Sequence, residues 1–170
     1  KREVLELGGN DPIIVLEDAD LEEAAALAAA GSYKNAGQRC TAIKRMLVHE
    51  AVADRFVELL LERTRAWTYG DPMDPALDMG TVIDEAAAKS FEAKVNEAIA
   101  MGATLLHGNV RRGALYSPTL VDHATPDMPL VRDETFGPVS PVLRFRNIDD
   151  AIRISNSTPY GLSSAVCTNR

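Results

Sequence analysis

The sequence predicts an α/β domain built on an open, largely parallel sheet that is covered by helices. Short apolar runs, such as residues 13–16 and 43–48, alternate along the 170-residue chain with amphipathic stretches of ten or more residues. This alternation is typical of strand–helix–strand units with a parallel sheet. No internal repeat or low-complexity tract interrupts it. The length is that of one domain, which usually has about 100–200 residues.

Two apolar segments begin the chain. Residues 4–7 form a strand-like stretch that ends at Gly8 and Gly9. Residues 13–16 follow Pro12 and consist of Ile, Ile, Val and Leu, a composition typical of a buried strand. We therefore expect a strand of the central sheet at residues 13–16.

An alanine-rich helix is expected over residues 21–33, because this segment contains no proline and lacks glycine until its last turn. Asp18 or Asp20 provides its N-cap. A polar Gly-Gln-Arg-Cys-Thr loop follows at residues 37–41. The apolar run at residues 43–48 then predicts the next strand.

Two amphipathic helices come next. Over residues 51–67, apolar side chains recur on one helical face with charged residues between them. After a loop rich in glycine and proline at residues 70–75, Asp84 provides the cap of a helix that ends at Gly102. The apolar residues of this second helix repeat every four positions, at Ala87, Phe91, Val95 and Ile99.

The last part of the chain contains short apolar segments separated by prolines. The pattern predicts three strands, one helix and a final strand, in the order 104–106, 119–121, 139–145, 148–155 and 164–167. With the earlier elements, these complete a sheet whose connections are mostly helical.

Composition and charge exclude several classes of function. The chain has 18 basic and 25 acidic residues, a net charge of −7, whereas nucleic acids and anionic membranes require a basic face. No apolar run approaches the roughly 18 residues of a membrane span, and the first residues lack a signal-peptide core. Two cysteines make no disulfide framework, and no Cys or His cluster indicates zinc. We expect a cytoplasmic protein without a metal.

Cys40 is the first candidate for chemistry, because it lies in the polar loop next to Arg39. The thiolate is the nucleophilic form of cysteine, and a nearby cation favours it. A free cysteine is more often a buried structural thiol, and Cys167, at the end of an apolar strand, fits that interpretation. The loop alone leaves both interpretations open for Cys40.

Two carboxylates are further candidates. Glu6 lies between two leucines, and burial there would suit a general base, but a solvent-facing strand residue explains the pattern as well. Glu134, in an Asp-Glu-Thr-Phe-Gly-Pro segment, has the alternative of an ordinary loop carboxylate. The remaining titratable candidates are scattered and indicate surface or packing positions: His49, His107 and His123.

Four motifs follow one another along the chain: Leu5-Glu6-Leu7-Gly8-Gly9-Asn10, Gly37-Gln38-Arg39-Cys40, Glu134-Thr135-Phe136-Gly137-Pro138, and Asn156 with Tyr160-Gly161-Leu162. In this order and at these separations they resemble the aldehyde dehydrogenase superfamily. One such motif is weak evidence, but four in order are highly specific. The resemblance implies that residues 1–170 are the catalytic domain of a longer enzyme.

The resemblance also implies a mechanism. Cys40 would attack the aldehyde carbonyl to form a thiohemiacetal, which loses hydride to NAD or NADP and becomes a thioester. Glu6 would activate the water that hydrolyses the thioester. Glu134 would hold the nicotinamide ribose hydroxyls, and Phe136 and Leu7 are assigned to the cofactor site.

Parts of the family pattern have no counterpart in the chain. The oxyanion-binding asparagine of the family precedes the Glu6 motif and has no counterpart here. The elements that hold the adenosine and the phosphates of the cofactor have none either, nor do the oligomerisation segments of the family. We therefore expect that the isolated chain does not turn over, and the choice between NAD and NADP stays open. The full-length protein is expected to be a homodimer or homotetramer.

Arg39 bears on the substrate, because many family members carry an uncharged side chain before the nucleophile. A guanidinium there suits a phosphate or phosphonate dianion, unless it only pairs with a local carboxylate. With Lys44 and Arg45, the loop resembles the branches that oxidise phosphonoacetaldehyde and, without phosphorylation, glyceraldehyde 3-phosphate. Asn10 favours the first, so the expected product is phosphonoacetate.

Two alternatives to this substrate remain. In the first, the substrate is glyceraldehyde 3-phosphate or another aldehyde. In the second, the isolated domain has no enzymatic activity and serves only as a scaffold. Lys44 itself either joins the anion site or lies at a solvated strand end.

Overall fold

A computed structural model describes residues 2–5 and 7–170 of the chain. The strands within this part are β1 (Asp11–Val15), β2 (Ile43–His49), β3 (Thr104–His107), β4 (Arg111–Arg112), β5 (Leu115–Tyr116), β6 (Thr119–Asp122), β7 (Val139–Phe145) and β8 (Ala165–Cys167). Its helices are α1 (Leu21–Tyr33), α2 (Glu50–Ala66), α3 (Glu85–Ala100), α4 (Pro129–Arg132) and α5 (Ile148–Ser155). No helix among these residues has the length and apolar character to cross a membrane.

Six strands form one sheet in the order β3-β6-β7-β2-β1-β8. The pairs β6–β7, β7–β2, β2–β1 and β1–β8 are parallel, and only β3–β6 is antiparallel. The central strands β1, β2 and β7 are almost entirely buried, as expected for parallel strands with helices on both faces. The predicted open, largely parallel sheet is therefore confirmed.

Helices α1 and α2 pack against each other. Asp20 caps α1 by accepting a hydrogen bond from the Glu23 amide at 3.1 Å. The alanines of α1 form its buried face and allow close packing against α2. At the end of α1, the buried Tyr33 hydroxyl lies 3.1 Å from Oγ1 of Thr64 in α2.

Helix α3 also begins and ends as its sequence predicts. The Asp84 carboxylate accepts a hydrogen bond from the Ala87 amide at 2.7 Å, and Gly102 after the last turn has a φ of +106°, which glycine adopts without strain. Phe91 and Val95 are buried against the core, whereas Ile99 is 37% exposed. In the last turn the buried position is therefore Ala98 rather than Ile99.

The structure corrects the prediction for the start of the chain. Val4, Leu5 and Leu7 lie outside any strand and are 93%, 68% and 80% exposed. Among the described residues, they find neither a partner strand nor a core to cover. Glu6 lies outside the described residues.

Three short elements were not predicted. Strands β4 and β5 have two residues each and form a small antiparallel hairpin. Helix α4 is a single turn that begins with proline at its first position. Elements of this length are too short for any apolar period to be recognised in the sequence.

Candidate active site

The candidate site forms where three segments enter neighbouring strands of the sheet. The Gly8 segment precedes β1, the Cys40 loop precedes β2, and the Glu134 segment precedes β7. Because these strands are adjacent and parallel, the segments that enter them meet at the same edge. They surround an open cavity of about 630 Å³, lined by Gly8, Gln38, Arg39, Cys40, Thr41, Glu134 and Phe136.

A tight left-handed turn leads into the Cys40 loop. Asn35, Ala36 and Gly37 have φ values of 56°, 53° and 71°, a conformation that costs about 1–2 kcal/mol for residues other than glycine. The Asn35 side chain donates a hydrogen bond to the Gln38 carbonyl at 3.1 Å. The Gln38 side chain donates in return to the Asn35 carbonyl at 3.3 Å. These reciprocal bonds stabilise the turn and present Cys40 to the cavity.

Lys44 lies beneath this loop at the start of β2. Its side chain is only 3% exposed. Nζ donates hydrogen bonds to the carbonyl oxygens of Arg39 at 2.8 Å and Cys40 at 2.9 Å, and it forms an ion pair with Oε1 of Glu134 at 3.3 Å. The alternative of a solvated strand end is therefore wrong for Lys44. The structure instead joins it to the cysteine loop and to Glu134.

Glu134 is held from both sides. Its Oε1 accepts a hydrogen bond from the Gly9 amide at 3.0 Å, and its backbone carbonyl accepts one from Nζ of Lys94 at 2.8 Å. A Cβ atom on Gly8 would stand 2.5 Å from Oε2, so the absence of a side chain at Gly8 provides the space for this carboxylate. Burial lowers the pKa of Lys94, against the opposing charges of Asp133 and Glu134.

Phe136 and Leu7 differ in their relation to the cavity. The Phe136 ring lines it, is 38% exposed, and has Nζ of Lys44 5.6 Å from its centroid. Leu7 is 80% exposed and lies outside the cavity lining, although its neighbour Gly8 belongs to it. The structure thus brings Phe136 to the cavity and leaves Leu7 at its margin.

Arg39 lies beside Cys40 in the cavity wall. Its Nη2 donates a hydrogen bond to the Gly31 carbonyl at 2.7 Å. Within residues 2–5 and 7–170 its guanidinium forms no salt bridge with a carboxylate, and its buried Nε has no hydrogen-bond partner. The bond to Gly31 orients the guanidinium without neutralising it.

Arg45 serves the fold rather than this cavity. Its fully buried guanidinium donates hydrogen bonds to the carbonyls of Asn10 at 2.8 Å, Ile154 at 3.0 Å and Ser155 at 2.9 Å. Burial lowers its pKa, and the charge of Asp11 opposes this effect. Arg45 also borders a second cavity of about 460 Å³, which is lined by Asn10 and Asp11 as well.

The remaining candidates lie away from the Cys40 cavity. His49 contacts the Arg146 carbonyl at 3.0 Å, and His123 lies 3.5 Å from the Asp122 carboxylate. Burial lowers the pKa of His107. In the described part of the chain, no group of histidine, cysteine and acidic residues is arranged to hold a metal ion.

Cys167 fits the interpretation of a structural thiol. It ends β8 and packs, half-buried, against the core. Burial, followed by the charge of Glu23, raises the pKa of its thiol. A thiol of this kind is a poor nucleophile near neutral pH.

Sequence reasoning missed Lys94 altogether, and it named Lys44 without its contact to Glu134. Lys94 belongs to the solvent-facing pattern of α3 in the sequence, and only the packing of α3 brings it to the Glu134 carbonyl. Lys44 has a clearer signal, since a lysine inside an apolar strand run is almost never buried unless it is paired.

The sequence model described as "Aldehyde dehydrogenase family" matches residues 1–170, the whole of the chain. The chain therefore belongs to the aldehyde dehydrogenase family, a class of NAD(P)-dependent oxidoreductases. This finding agrees with the order of the four motifs and with the cysteine, glutamate and phenylalanine that the fold brings to one cavity.

Two curated relatives illustrate the range of the family. The 3,6-anhydro-alpha-L-galactose dehydrogenase of Vibrio sp. (strain EJY3) is 40% identical over 171 residues, which cover 96% of this chain and 36% of that protein. The NADP-dependent glyceraldehyde-3-phosphate dehydrogenase of Streptococcus equinus is 45% identical over 166 residues, covering 98% of this chain and 35% of that protein. The chain thus spans about a third of the length of these relatives.

The fold agrees with a solved structure. Glyceraldehyde-3-phosphate dehydrogenase from Methanocaldococcus jannaschii, complexed with NADP, superposes with a TM-score of 0.93. The two chains share 41% sequence identity, and the match covers 97% of this chain and 36% of that chain.

Proposed function

We propose that residues 1–170 are the catalytic domain of an NAD(P)-dependent aldehyde dehydrogenase in which Cys40 is the nucleophile. The observation that carries this proposal is the meeting of Cys40, Glu134 and Phe136 around one open cavity. The domain acts within a longer polypeptide that supplies most of the cofactor site and assembles as a homodimer or homotetramer. The proposal of a longer polypeptide agrees with the relatives, because the chain spans only about a third of their length.

Cys40 carries the covalent chemistry. Its thiolate attacks the aldehyde carbon, so that a carbon–sulfur bond forms and the carbonyl oxygen becomes an oxyanion, which the Cys40 amide stabilises. Loss of hydride from that carbon restores the carbonyl and gives a thioester on Cys40. Glu6 takes a proton from the water that attacks this thioester, the carbon–sulfur bond breaks, and a carboxylic acid and the thiolate result.

The cavity has features that fit a nicotinamide cofactor. Oε1 of Glu134 is occupied by Gly9 and Lys44. Oε2 lies against Gly8 and accepts no hydrogen bond from the described residues, so we assign it to the ribose hydroxyls. Phe136 offers an exposed aromatic ring beside it, and Leu7 an apolar side chain at the margin. When bound there, NAD or NADP supplies the hydride acceptor for the reaction.

Arg39 selects the substrate in this proposal. Arg39 lies beside the nucleophile, and no carboxylate in residues 2–5 and 7–170 pairs with its guanidinium. Such a guanidinium favours an aldehyde that carries a dianion. Phosphonoacetaldehyde, oxidised to phosphonoacetate, has its carbonyl one methylene from such a group, so the enzyme would act in phosphonate metabolism. Glyceraldehyde 3-phosphate is the alternative, supported by the names of two of the relatives above.

The decisive experiment measures kcat/KM in the full-length protein for phosphonoacetaldehyde, glyceraldehyde 3-phosphate and a neutral aldehyde of similar size. We expect phosphonoacetaldehyde to be oxidised at least tenfold more efficiently than the neutral aldehyde. Cys40→Ser should abolish oxidation, while Cys167→Ser, at the distant thiol, retains it. If Cys40→Ser keeps the wild-type rate, the proposed nucleophile is wrong.

Arg39→Leu tests the anion site in the same protein. We expect the efficiency for phosphonoacetaldehyde to fall by tenfold or more, with a change below threefold for the neutral aldehyde. Arg55→Leu, which removes an exposed arginine, is the matched control. If the preference for the anionic aldehyde survives Arg39→Leu, Arg39 does not bind the substrate.

A further inference from the structure

Lys44 is a buried cation whose partners belong to two different parts of the candidate site. Its side chain is 3% exposed, and burying a lysine is costly unless its charge is paired and its protons are bonded. Lys44 meets this condition with three partners: the carbonyls of Arg39 and Cys40, and the Glu134 carboxylate. An ammonium group has three protons, so none remains for a substrate.

The two carbonyls fix the peptides on either side of the nucleophile's Cα. Because Nζ binds both at 2.8 and 2.9 Å, rotation of the Arg39–Cys40 or Cys40–Thr41 peptide would break a charged hydrogen bond. The amide that stabilises the oxyanion belongs to the first of these peptides. The position of the Cys40 amide and thiol therefore depends on Lys44.

The third partner connects this loop to Glu134. Oε1 receives both the Lys44 ammonium at 3.3 Å and the Gly9 amide at 3.0 Å. These contacts occupy Oε1, whereas Oε2 lies against Gly8 and receives no hydrogen bond from the part of the chain that the structure describes. The ion pair also neutralises the carboxylate, so among the described residues that line the cavity the remaining charge is the cation of Arg39.

We propose that Lys44 is a positioning residue that couples the Cys40 loop to Glu134 and keeps Glu134 ready for the cofactor. This inference rests on the proposed function, since it assigns Lys44 a task in that same reaction. Its effect passes through Cys40 and Glu134, and Lys44 itself touches neither aldehyde nor cofactor.

Lys44→Met in the full-length protein is the principal test, because methionine has a similar length and lacks the charge and the donors. Rates are expressed per active site, counted by the burst of reduced cofactor. We expect the KM for the cofactor to rise tenfold or more and the burst rate to fall. A merely structural role would lower the number of active sites and the melting temperature. It would leave the cofactor KM, and the burst rate per active site, unchanged.

Three further variants sharpen the test. Lys89→Met removes a lysine of an exposed pair with Glu85 and should leave every rate unchanged. Lys44→Arg keeps a cation and should bring the cofactor KM within about fivefold of the wild type. Lys44→Gln, which retains two donors without charge, replaces Lys44→Met if the latter does not fold, with a KM rise of fivefold or more expected.

Glu134→Gln separates the two connections. Compared with Glu134→Gln alone, the double variant with Lys44→Met should show a cofactor KM less than threefold higher, because the ion pair is already lost. Its burst rate should still fall, because the bonds to the carbonyls of Arg39 and Cys40 are lost only in the double variant. The proposal is overturned if a folded Lys44→Met or Lys44→Gln protein keeps the wild-type cofactor KM and burst rate per active site, or if Lys44→Arg is as impaired as Lys44→Met. Failure of the wild-type protein to oxidise any aldehyde would instead overturn the proposed function.

Discussion

Gly37 and Gly137 approach so closely that a Cβ atom on Gly37 would stand 2.2 Å from the carbonyl oxygen of Gly137. The first glycine belongs to the turn before Cys40, and the second belongs to the segment after Glu134. Gly137 is restricted in turn, because its own Cβ would lie 2.4 Å from the ring of Phe91. Contact between the two backbones therefore sets the distance between the nucleophile loop and the Glu134 segment.

Gly37→Ala should destabilise the chain by about 3 kcal/mol. A φ of +71° costs about 1–2 kcal/mol for alanine, and overlap with a backbone oxygen adds roughly 1–3 kcal/mol. Gly113→Ala is the matched control, because Gly113 has a φ of +59° with open space around it. Urea unfolding followed by circular dichroism measures both variants.

The control isolates the cost of the backbone conformation, so we expect a loss of about 1 kcal/mol for Gly113→Ala. Equal losses for the two alanine variants would mean that the contact with Gly137 relaxes freely and does not fix the loops.

Arg45→Met should lower the free energy of unfolding by about 3–5 kcal/mol, as is usual when one member of a buried charged network is removed. Three backbone carbonyls, including that of Asn10, lose their donor, and the favourable interaction with the charge of Asp11 is lost. Arg55→Met removes an exposed arginine and should cost no more than about 1 kcal/mol. A similar small loss for both variants would contradict the structural role of Arg45.

Most of the fold follows from local patterns in the sequence. The boundaries of α1 were predicted to the residue, because an aspartate cap, an alanine run and the following polar loop all agree. Strand β2 and helices α2, α3 and α5 were predicted within one or two residues. The strand expected near residues 4–7 was wrong, because apolar composition does not reveal whether a partner strand exists.

The candidate site was predictable only in part. Cys40, Arg39, Glu134 and Phe136 were identified from their motifs, and the fold brings all four to one cavity. The roles of Lys44 and Lys94 depend on pairing across 90 and 40 residues. No local pattern contains such contacts, which arise only when the parallel strands are aligned.

Tyr33 should make the stability of the chain sensitive to alkaline pH. Burial raises the pKa of Tyr33 to about 12, whereas an unfolded tyrosine loses its proton near pH 10. Between these values the folded chain binds more protons, so the free energy of unfolding falls as the pH rises. The full effect is limited to about 3 kcal/mol.

Tyr33→Phe removes this contribution. At pH 8 the variant should be about 1 kcal/mol less stable than the wild type, because the hydrogen bond with Thr64 is lost. As the pH rises from 10 to 12 the difference should shrink and then reverse, as measured by urea unfolding at each pH. If the free energies of unfolding of the two proteins instead change in parallel up to pH 12, the pKa of Tyr33 does not differ between the folded and the unfolded chain.

The two thiols should react with iodoacetamide at very different rates. Cys40 borders an open cavity next to the Arg39 cation, whereas burial and the charge of Glu23 raise the pKa of Cys167. At pH 7.5 and limiting reagent, mass spectrometry should find at least ten labels on Cys40 for each label on Cys167, because only the thiolate attacks.

Cys167→Ser should leave the labelling rate of Cys40 unchanged, and raising the pH to 9.5 should reduce the ratio of the two labels as Cys167 ionises. Equal and slow labelling of both thiols at pH 7.5 would contradict a reactive Cys40 and favour a domain that serves only as a scaffold.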